Sequence, residues 1–268
     1  MRIFNNNEYS TLLDCFLCYP CSLQAPEGNP PQQQVDKNLA VIQYNSLCRQ
    51  LAEAGSKVWF AGLVGSPDQV FTRDVGFIVE DLLFISNMTD GARQPEINSL
   101  KELAVRYGLK THYMECKTEG GDIMVNKNIV FVGQGSRTNE MSAEEIGHIL
   151  KKHNMPYDVV RVGYDVSKIH LDCTFNIMDR DTCIVSSSLY KPESVIRHFR
   201  KAIQIPDEAL GELAPNIVQL GNNRYLCSSK SFSGILQENG YDAMYLDFSE
   251  FIKCSGGLGC CVLPLLRA

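Results

Sequence analysis

Short β runs and amphipathic helical runs alternate along this chain with a period of about fifty residues, and that repeat limits the fold more than any other feature. The first unit runs "LLDCFLCY", a helical stretch "VDKNLAVIQYNSLCRQLAEAG" and "KVWFAG"; the second runs "DVGFIVEDLLFISN", "PEINSLKELAVRYG" and "KTHYME". The third runs "DIMVNKNIVFVG", "SAEEIGHILKKHN" and "YDVVRVG". The fourth opens with "CTFNIMDRDTCIVSS" and a helix "PESVIRHFRKA"; the fifth joins "NIVQLGNNRYLCSS", "SFSGILQENG" and "AMYLDF". Each reads as a hairpin, a helix and a further strand. Turn pairs such as "ED", "NK" and "NN" separate the hairpin strands, and Gly55, Gly108 and Gly240 follow helices as C-caps. A run "CCVLPLL" is left over as a closing strand. Five units that each bury a neighbour's apolar face suggest a closed α/β ring. No Pro/Gly-rich linker or charge run divides the chain, so residues 1–268 are expected to form one domain.

Polar outliers fall in register with the repeat. Asp74, Glu119, His170 and Cys260 each lie at or just before the opening strand of a unit, at spacings of 45, 51 and 90 residues, the last being two periods. Equivalent positions in a ring face the same axis, so these side chains can meet at one point. "EGGD" (119–122) aims a carboxylate from a tight bend. In "HLDCTFN" (170–176), read as a strand, His170 and Asp172 share one face while Cys173 and Phe175 point into the core. Cys173 is therefore expected to be a small apolar core residue. In "SGGLGCCVLPL" the glycines give the backbone freedom to present a thiol, and neighbouring N–H groups can favour a thiolate. Cys260 sits where the loop ends, with Cys261 on the other face. Two carboxylates can grip the edges of a flat guanidinium, a thiolate can attack its carbon, and a histidine can protonate the departing nitrogen.

Composition narrows the setting. A formal charge of −6 lacks the clustered Lys/Arg that nucleic acid requires, and no apolar run approaches the length of a membrane span. The N-terminus "MRIFNNNEYS" shows no basic region followed by an apolar core, so a cytoplasmic location is expected. Eleven cysteines are then expected to be reduced thiols. "CFLCYPC" (Cys15, Cys18, Cys21) lacks a fourth ligand for an iron–sulfur or zinc site, so neither a metal nor a cofactor is expected.

"FTRD", "EGGD", "HLD" and the terminal Gly-rich cysteine loop occur in the order found in the guanidino-group-modifying (pentein) superfamily, which the sequence resembles over nearly its whole length. That superfamily includes arginine deiminases, dimethylarginine dimethylaminohydrolases and arginine:glycine amidinotransferases. The resemblance implies a five-bladed α/β propeller of ββαβ units with pseudo-fivefold symmetry. It also implies Cys260 as nucleophile, His170 as general acid/base, and Glu119 as the carboxylate that assists the histidine and holds a substrate nitrogen. Asp74 and Asp172 resemble the pair that clamps the guanidinium. "VGQGSRTN" (132–139) and "GARQPE" (91–96) resemble segments whose arginines bind an α-carboxylate, here Arg137 and Arg93. Three features bear on subclass. Arg73 stands where dimethylarginine hydrolases typically carry Glu. Asp172 is more like the deiminases, which are usually longer. Gly259 stands where amidinotransferases commonly have His.

The expectation is a hydrolase acting on arginine or a close guanidino compound through a covalent thiouronium, giving a ureido product and ammonia or an amine. Amidino transfer to an acceptor amine shares the first half-reaction. A non-catalytic arginine-binding propeller would be indifferent to thiol alkylation. The exact substrate and the oligomeric state stay open, a homo-oligomer included.

Overall fold

Five three-stranded sheets build the chain, as a computed structural model describing residues 1–268 shows. The first blade contains β1 (Leu12–Leu17), α1 (Lys37–Glu53) and β2 (Lys57–Phe60). The second contains β3 (Gly76–Val79), β4 (Leu82–Ile85), α2 (Asn98–Tyr107) and β5 (Thr111–Tyr113). The third contains β6 (Ile123–Asn126), β7 (Ile129–Gln134), α3 (Glu140–Lys152) and β8 (Asp158–Gly163). The fourth contains β9 (Phe175–Ile177), β10 (Thr182–Val185), α4 (Glu193–Ile196) and β11 (Lys201–Gln204). The fifth contains β12 (Val218–Gly221), β13 (Arg224–Cys227), α5 (Lys230–Glu238) and β14 (Asp242–Tyr245). A short α6 (Ser249–Ile252) then leads to β15 (Leu263–Arg267).

Blades two to five share one pattern: an antiparallel hairpin, then a helix that returns the chain to a parallel outer strand. The first blade is assembled from both ends of the chain. β15 pairs antiparallel with β1, and β2 pairs parallel with it, so the leftover run closes the ring. The hairpin turns have the left-handed residues that tight loops need, at Glu80, Lys127 and the pair Asn222–Asn223. In the third blade the turn is Lys127–Asn128, one residue past the expected "NK". Gly108 caps α2 at φ 60°, and its N–H bonds back to the Ala104 carbonyl.

The apolar core is divided among the blade interfaces. Phe77 and Phe84 of the second blade stack at 4.6 Å and pack with Val125, Val130 and Ile146 of the third. Phe131 of the third packs with Phe175 and Val185 of the fourth, and Ile184 of the fourth with Tyr225 and Phe232 of the fifth. A single blade has no partner for its second face, so closing the ring completes the burial. The fourth-blade helix is shorter than "PESVIRHFRKA" suggests, a single turn. His198 and Phe199 turn back onto the Phe131 ring at 5.6 and 5.9 Å, which takes the chain off the helical path.

No helix is long and apolar enough to cross a membrane. All eleven cysteines are unpaired, with Cys15 and Cys18 buried and Cys21 exposed.

Candidate active site

Each blade's innermost strand is entered through a tight bend, and these bends hold the polar outliers. One turn of 3-10 helix at Thr72–Val75 presents Asp74 before β3, and another at Gly120–Asp122 follows Glu119 before β6. A third, at Leu171–Cys173, carries Asp172 before β9, and a fourth at Gly259–Cys261 carries Cys260 before β15. Four blade entries therefore deliver two neighbouring groups, Asp74 with Glu119 and His170, and Asp172 with Cys260, all buried.

Carboxylate oxygens of Asp74 and Glu119 and a ring nitrogen of His170 lie within 4.8 Å of one another. His170 Nε2 is 2.9 Å from Glu119 Oε2, and Nδ1 is 3.5 Å from Asp74 Oδ1. Burial opposes a charged imidazole here. The Asp74 carboxylate, the Glu119 hydrogen bond and the Asp122 charge outweigh it and push His170 up to about 10. The ring is then an imidazolium at neutral pH, hydrogen-bonded through Nε2 to Glu119 and ion-paired, without a hydrogen bond, through Nδ1 with Asp74. Burial also works against the Glu119 carboxylate. The His170 hydrogen bond and charge, the Thr89 N–H at 2.9 Å and the Arg93 charge together hold it below the usual carboxylate range.

Asp122 holds the histidine strap. Its Oδ1 accepts the Leu171 N–H at 2.9 Å and the Tyr164 hydroxyl at 2.7 Å, and that hydroxyl also lies 2.9 Å from the Ile169 carbonyl. Gly121 leaves room for the ring, since a Cβ there would come within 2.8 Å of His170 Cγ.

Cys260 shares one cavity of about 40 Å³ with Asp74, Arg93, Arg137 and His170. It opens onto a vestibule of about 350 Å³, lined on both sides of the junction by Asp68, Arg137, Ile169, Cys254 and Ser255. Asp74 Oδ1 is buried with no hydrogen-bond partner, an open acceptor on a residue of that lining.

Four expectations need correction. The stretch 170–176 is not a continuous strand: Leu171–Cys173 is a 3-10 turn and β9 starts at Phe175, because the chain must bend to enter the blade. Cys173 is a buried core residue, as expected, and it also lies against the site. Its sulfur, an Asp172 oxygen and the Cys260 sulfur lie within 4.8 Å of one another, and Cys173 Sγ is 3.4 Å from Asp172 Oδ1. Asp172 itself lines a different, axial cavity with Glu8, Arg73 and Arg267. Burial lifts its carboxyl to about 6, with the His170 charge opposing and the Asp74 charge reinforcing the rise.

Arg93 differs from its expected place as a free α-carboxylate ligand. It is buried, with Nη1 2.9 Å from Asp74 Oδ2 and Nε and Nη2 on Glu96 at 3.0 and 2.9 Å. Its charge neutralises the acids from the side. Arg137 does stand at the junction of cavity and vestibule, half-buried, with Nη1 3.7 Å from Glu119 Oε1. Glu96 and Tyr164 were not singled out by the sequence, since a Glu inside "QPEI" and a Tyr in "GYD" carry no local signal.

The N–H groups expected to favour a thiolate are committed elsewhere. The Cys260 N–H goes to Asn216 Oδ1, the Gly259 N–H to the Asn216 carbonyl and the Cys261 N–H to Leu258. The charges facing the sulfur's cavity are the His170 imidazolium, the Arg93 and Arg137 guanidinium groups and the carboxylates of Asp68 and Asp74. The chemistry this permits is attack on a cationic carbon whose nitrogens are held by carboxylates, with an acid at hand.

Comparison with known proteins places the fold and the family. An uncharacterized protein of Bacillus subtilis, YkgA, is 29% identical over 97% of this chain and 94% of its own length. An N(G),N(G)-dimethylarginine dimethylaminohydrolase of Streptomyces coelicolor is 24% identical over 85% of this chain and 87% of its own. The N-terminal domain of ArgZ, a cyanobacterial arginine dihydrolase, superposes with a TM-score of 0.84 at 21% identity, covering 95% of this chain and 98% of that one. The dimethylarginine dimethylaminohydrolase of Pseudomonas aeruginosa, in complex with citrulline, gives 0.80 at 23%, covering 94% and 99%. These neighbours share the five-bladed pentein fold. Residues 45–219 match the family described as arginine deiminase, and the chain belongs to that family within the pentein superfamily.

Proposed function

We propose that the protein hydrolyses a C–N bond of the guanidinium group of arginine or a close derivative, through a covalent adduct on Cys260. The observation that carries this reading is the unpartnered, buried Asp74 Oδ1 on the wall of a cavity that also holds a thiol and an imidazolium. A buried carboxylate oxygen with no donor is costly, and a guanidinium N–H would satisfy it.

In this reading the guanidinium enters the narrow cavity beside Asp74, His170 and Cys260, and the remainder of the substrate lies in the vestibule beside Arg137. Asp172 contributes its charge from below the sulfur. The Cys260 sulfur, as thiolate, attacks the guanidinium carbon and a C–S bond forms. The C–N bond breaks as the leaving nitrogen takes a proton from the His170 imidazolium, and ammonia or an amine departs. The now neutral His170 takes a proton from water, which attacks the thiouronium carbon. The C–S bond breaks and the added hydroxyl gives its proton to solvent, leaving a ureido product, the thiolate and His170 again protonated. Arginine would give citrulline and ammonia. Affiliation with the arginine deiminase family and the likeness to dimethylarginine hydrolases support this substrate class.

The test is incubation with arginine, methylated arginines, agmatine and guanidinoacetate, with and without glycine as acceptor. A ureido product forming without acceptor supports hydrolysis. Amidino product appearing only with acceptor would replace it by transfer, and no turnover of any guanidine would reject the reading.

A further inference from the structure

Four blade entries supply Asp74, Glu119, His170 with Asp172, and Cys260; the fifth entry, before β12, carries Asn216. It lies 44 residues before Cys260, one period, and completes the register in which the other four stand. Its side chain is fully buried.

Asn216 holds the nucleophile's turn by two bonds. Its Oδ1 accepts the Cys260 N–H at 3.0 Å, and its backbone carbonyl accepts the Gly259 N–H at 3.2 Å. Its Nδ2 points to the Cys173 sulfur at 4.0 Å, so one amide touches both thiol-bearing residues. The turn at Gly259–Cys261 is only three residues long, and a lone 3-10 turn has little stability of its own. Asn216 is braced in turn: its N–H bonds to the Leu213 carbonyl, and the preceding Pro215 carbonyl accepts from Asn176 Nδ2.

The glycines of "SGGLGCC" acquire a reason different from backbone freedom. Gly256, Gly257 and Gly259 all lack the left-handed φ that would demand glycine. A Cβ on Gly257 would stand 2.6 Å from Asn216 Oδ1, and one on Gly259 would stand 3.1 Å from it. Two glycines of the loop are clearance for this amide.

We propose that Asn216 is the positioning residue for Cys260, fixing the direction of its sulfur by accepting the backbone N–H of the nucleophile. This rests on the assignment of Cys260 as nucleophile made above. The capture of that N–H also separates this site from acyl-transfer thiol enzymes, where such a donor is aimed at an oxyanion. A guanidinium develops no oxyanion, and the N–H is free to serve as an anchor.

The experiment compares Asn216→Leu, of similar size without an acceptor, with Asn216→Asp, which keeps an acceptor oxygen in place. Turnover is measured alongside alkylation of Cys260 by chloroacetamidine, a cation shaped like the substrate head, and by neutral chloroacetamide. A reacting atom displaced by about 1 Å costs about 100-fold, so Asn216→Leu should lose about that much in kcat with KM within about threefold. Its chloroacetamidine-to-chloroacetamide rate ratio at Cys260 should fall in parallel, and Asn216→Asp should recover both at least in part. If Asn216→Leu does not fold, Asn216→Ala takes its place against Asn216→Asp. A variant lacking the acceptor that keeps kcat and the alkylation ratio within twofold of the parent overturns the proposal. So does an Asn216→Asp no better than the acceptor-less variant. The alkylation ratio needs no turnover, so it tests the anchor even if no guanidine is hydrolysed, an outcome that would fall on the proposed function alone.

Discussion

Glu119 and His170 stand 51 residues apart on successive blades and meet at 2.9 Å between Oε2 and Nε2. With the larger effect of the Asp74 charge, the contact makes His170 an acid. An isolated imidazole is mostly neutral at neutral pH, whereas this one, between Glu119 and Asp74, retains its proton to about 10. Replacing Glu119 with Gln keeps a hydrogen-bond acceptor and removes the charge. The alkaline limb of kcat/KM should then move down by about one pH unit, lowering the rate about twofold at pH 9 and about tenfold near pH 11. A pH–rate profile of Glu119→Gln checks this.

The parent profile should itself be a broad bell. Asp172 has a folded pKa raised to about 6, so it gains a proton as the pH drops through that value and loses the charge that favours a cation. His170 has a raised pKa too, so its acid form persists through neutrality and is lost as the pH rises through about 10. Values of kcat/KM should therefore fall below about 6 and above about 10. Asp172→Asn should abolish the acid limb and lower kcat/KM about tenfold, the effect of a buried charge worth about 1.4 kcal/mol that acts on the site without a hydrogen bond to the substrate. Near-normal turnover by that variant would remove Asp172 from the site's chemistry.

Gly121→Ala tests how closely the ring is seated. The added Cβ would lie 2.8 Å from His170 Cγ and 3.0 Å from Asp74 Oδ1, so the imidazole must shift. A loss of about 100-fold in kcat is expected from a displacement of this size, with the unfolding midpoint nearly unchanged. Parallel kinetics and urea denaturation measure both.

Arg93→Ala should act on stability first. It would leave Asp74 and Glu96 buried without the guanidinium that now joins them. Removing one partner of a buried pair typically costs about 3–5 kcal/mol. Equilibrium urea unfolding gives the number directly.

The ring and most of its site were legible because the repeat fixes a register, and an acid or thiol at a blade entry stands out against apolar strands. Asn216 occupies the same register yet was not legible, because an Asn before a strand reads as an ordinary turn residue. Its partners are backbone N–H groups, which leave no trace in sequence. The contact of Cys173 with Cys260 was not legible for another reason: "DCTF" fits strand alternation, but alternation cannot register a three-residue turn inserted at the bend. The Arg93–Asp74 pair depends on how the 3-10 segment Gly91–Ile97 folds back over the cavity, which no local pattern encodes.

The most direct measurement is an acid-quenched reaction with arginine, followed by peptide mapping of all eleven cysteines. The account predicts a transient mass of arginine less ammonia on Cys260, resolved from its neighbour Cys261 by fragmentation and lost in Cys260→Ser together with turnover. Turnover persisting in Cys260→Ser, or an adduct on Cys173 or Cys261 instead, would contradict it.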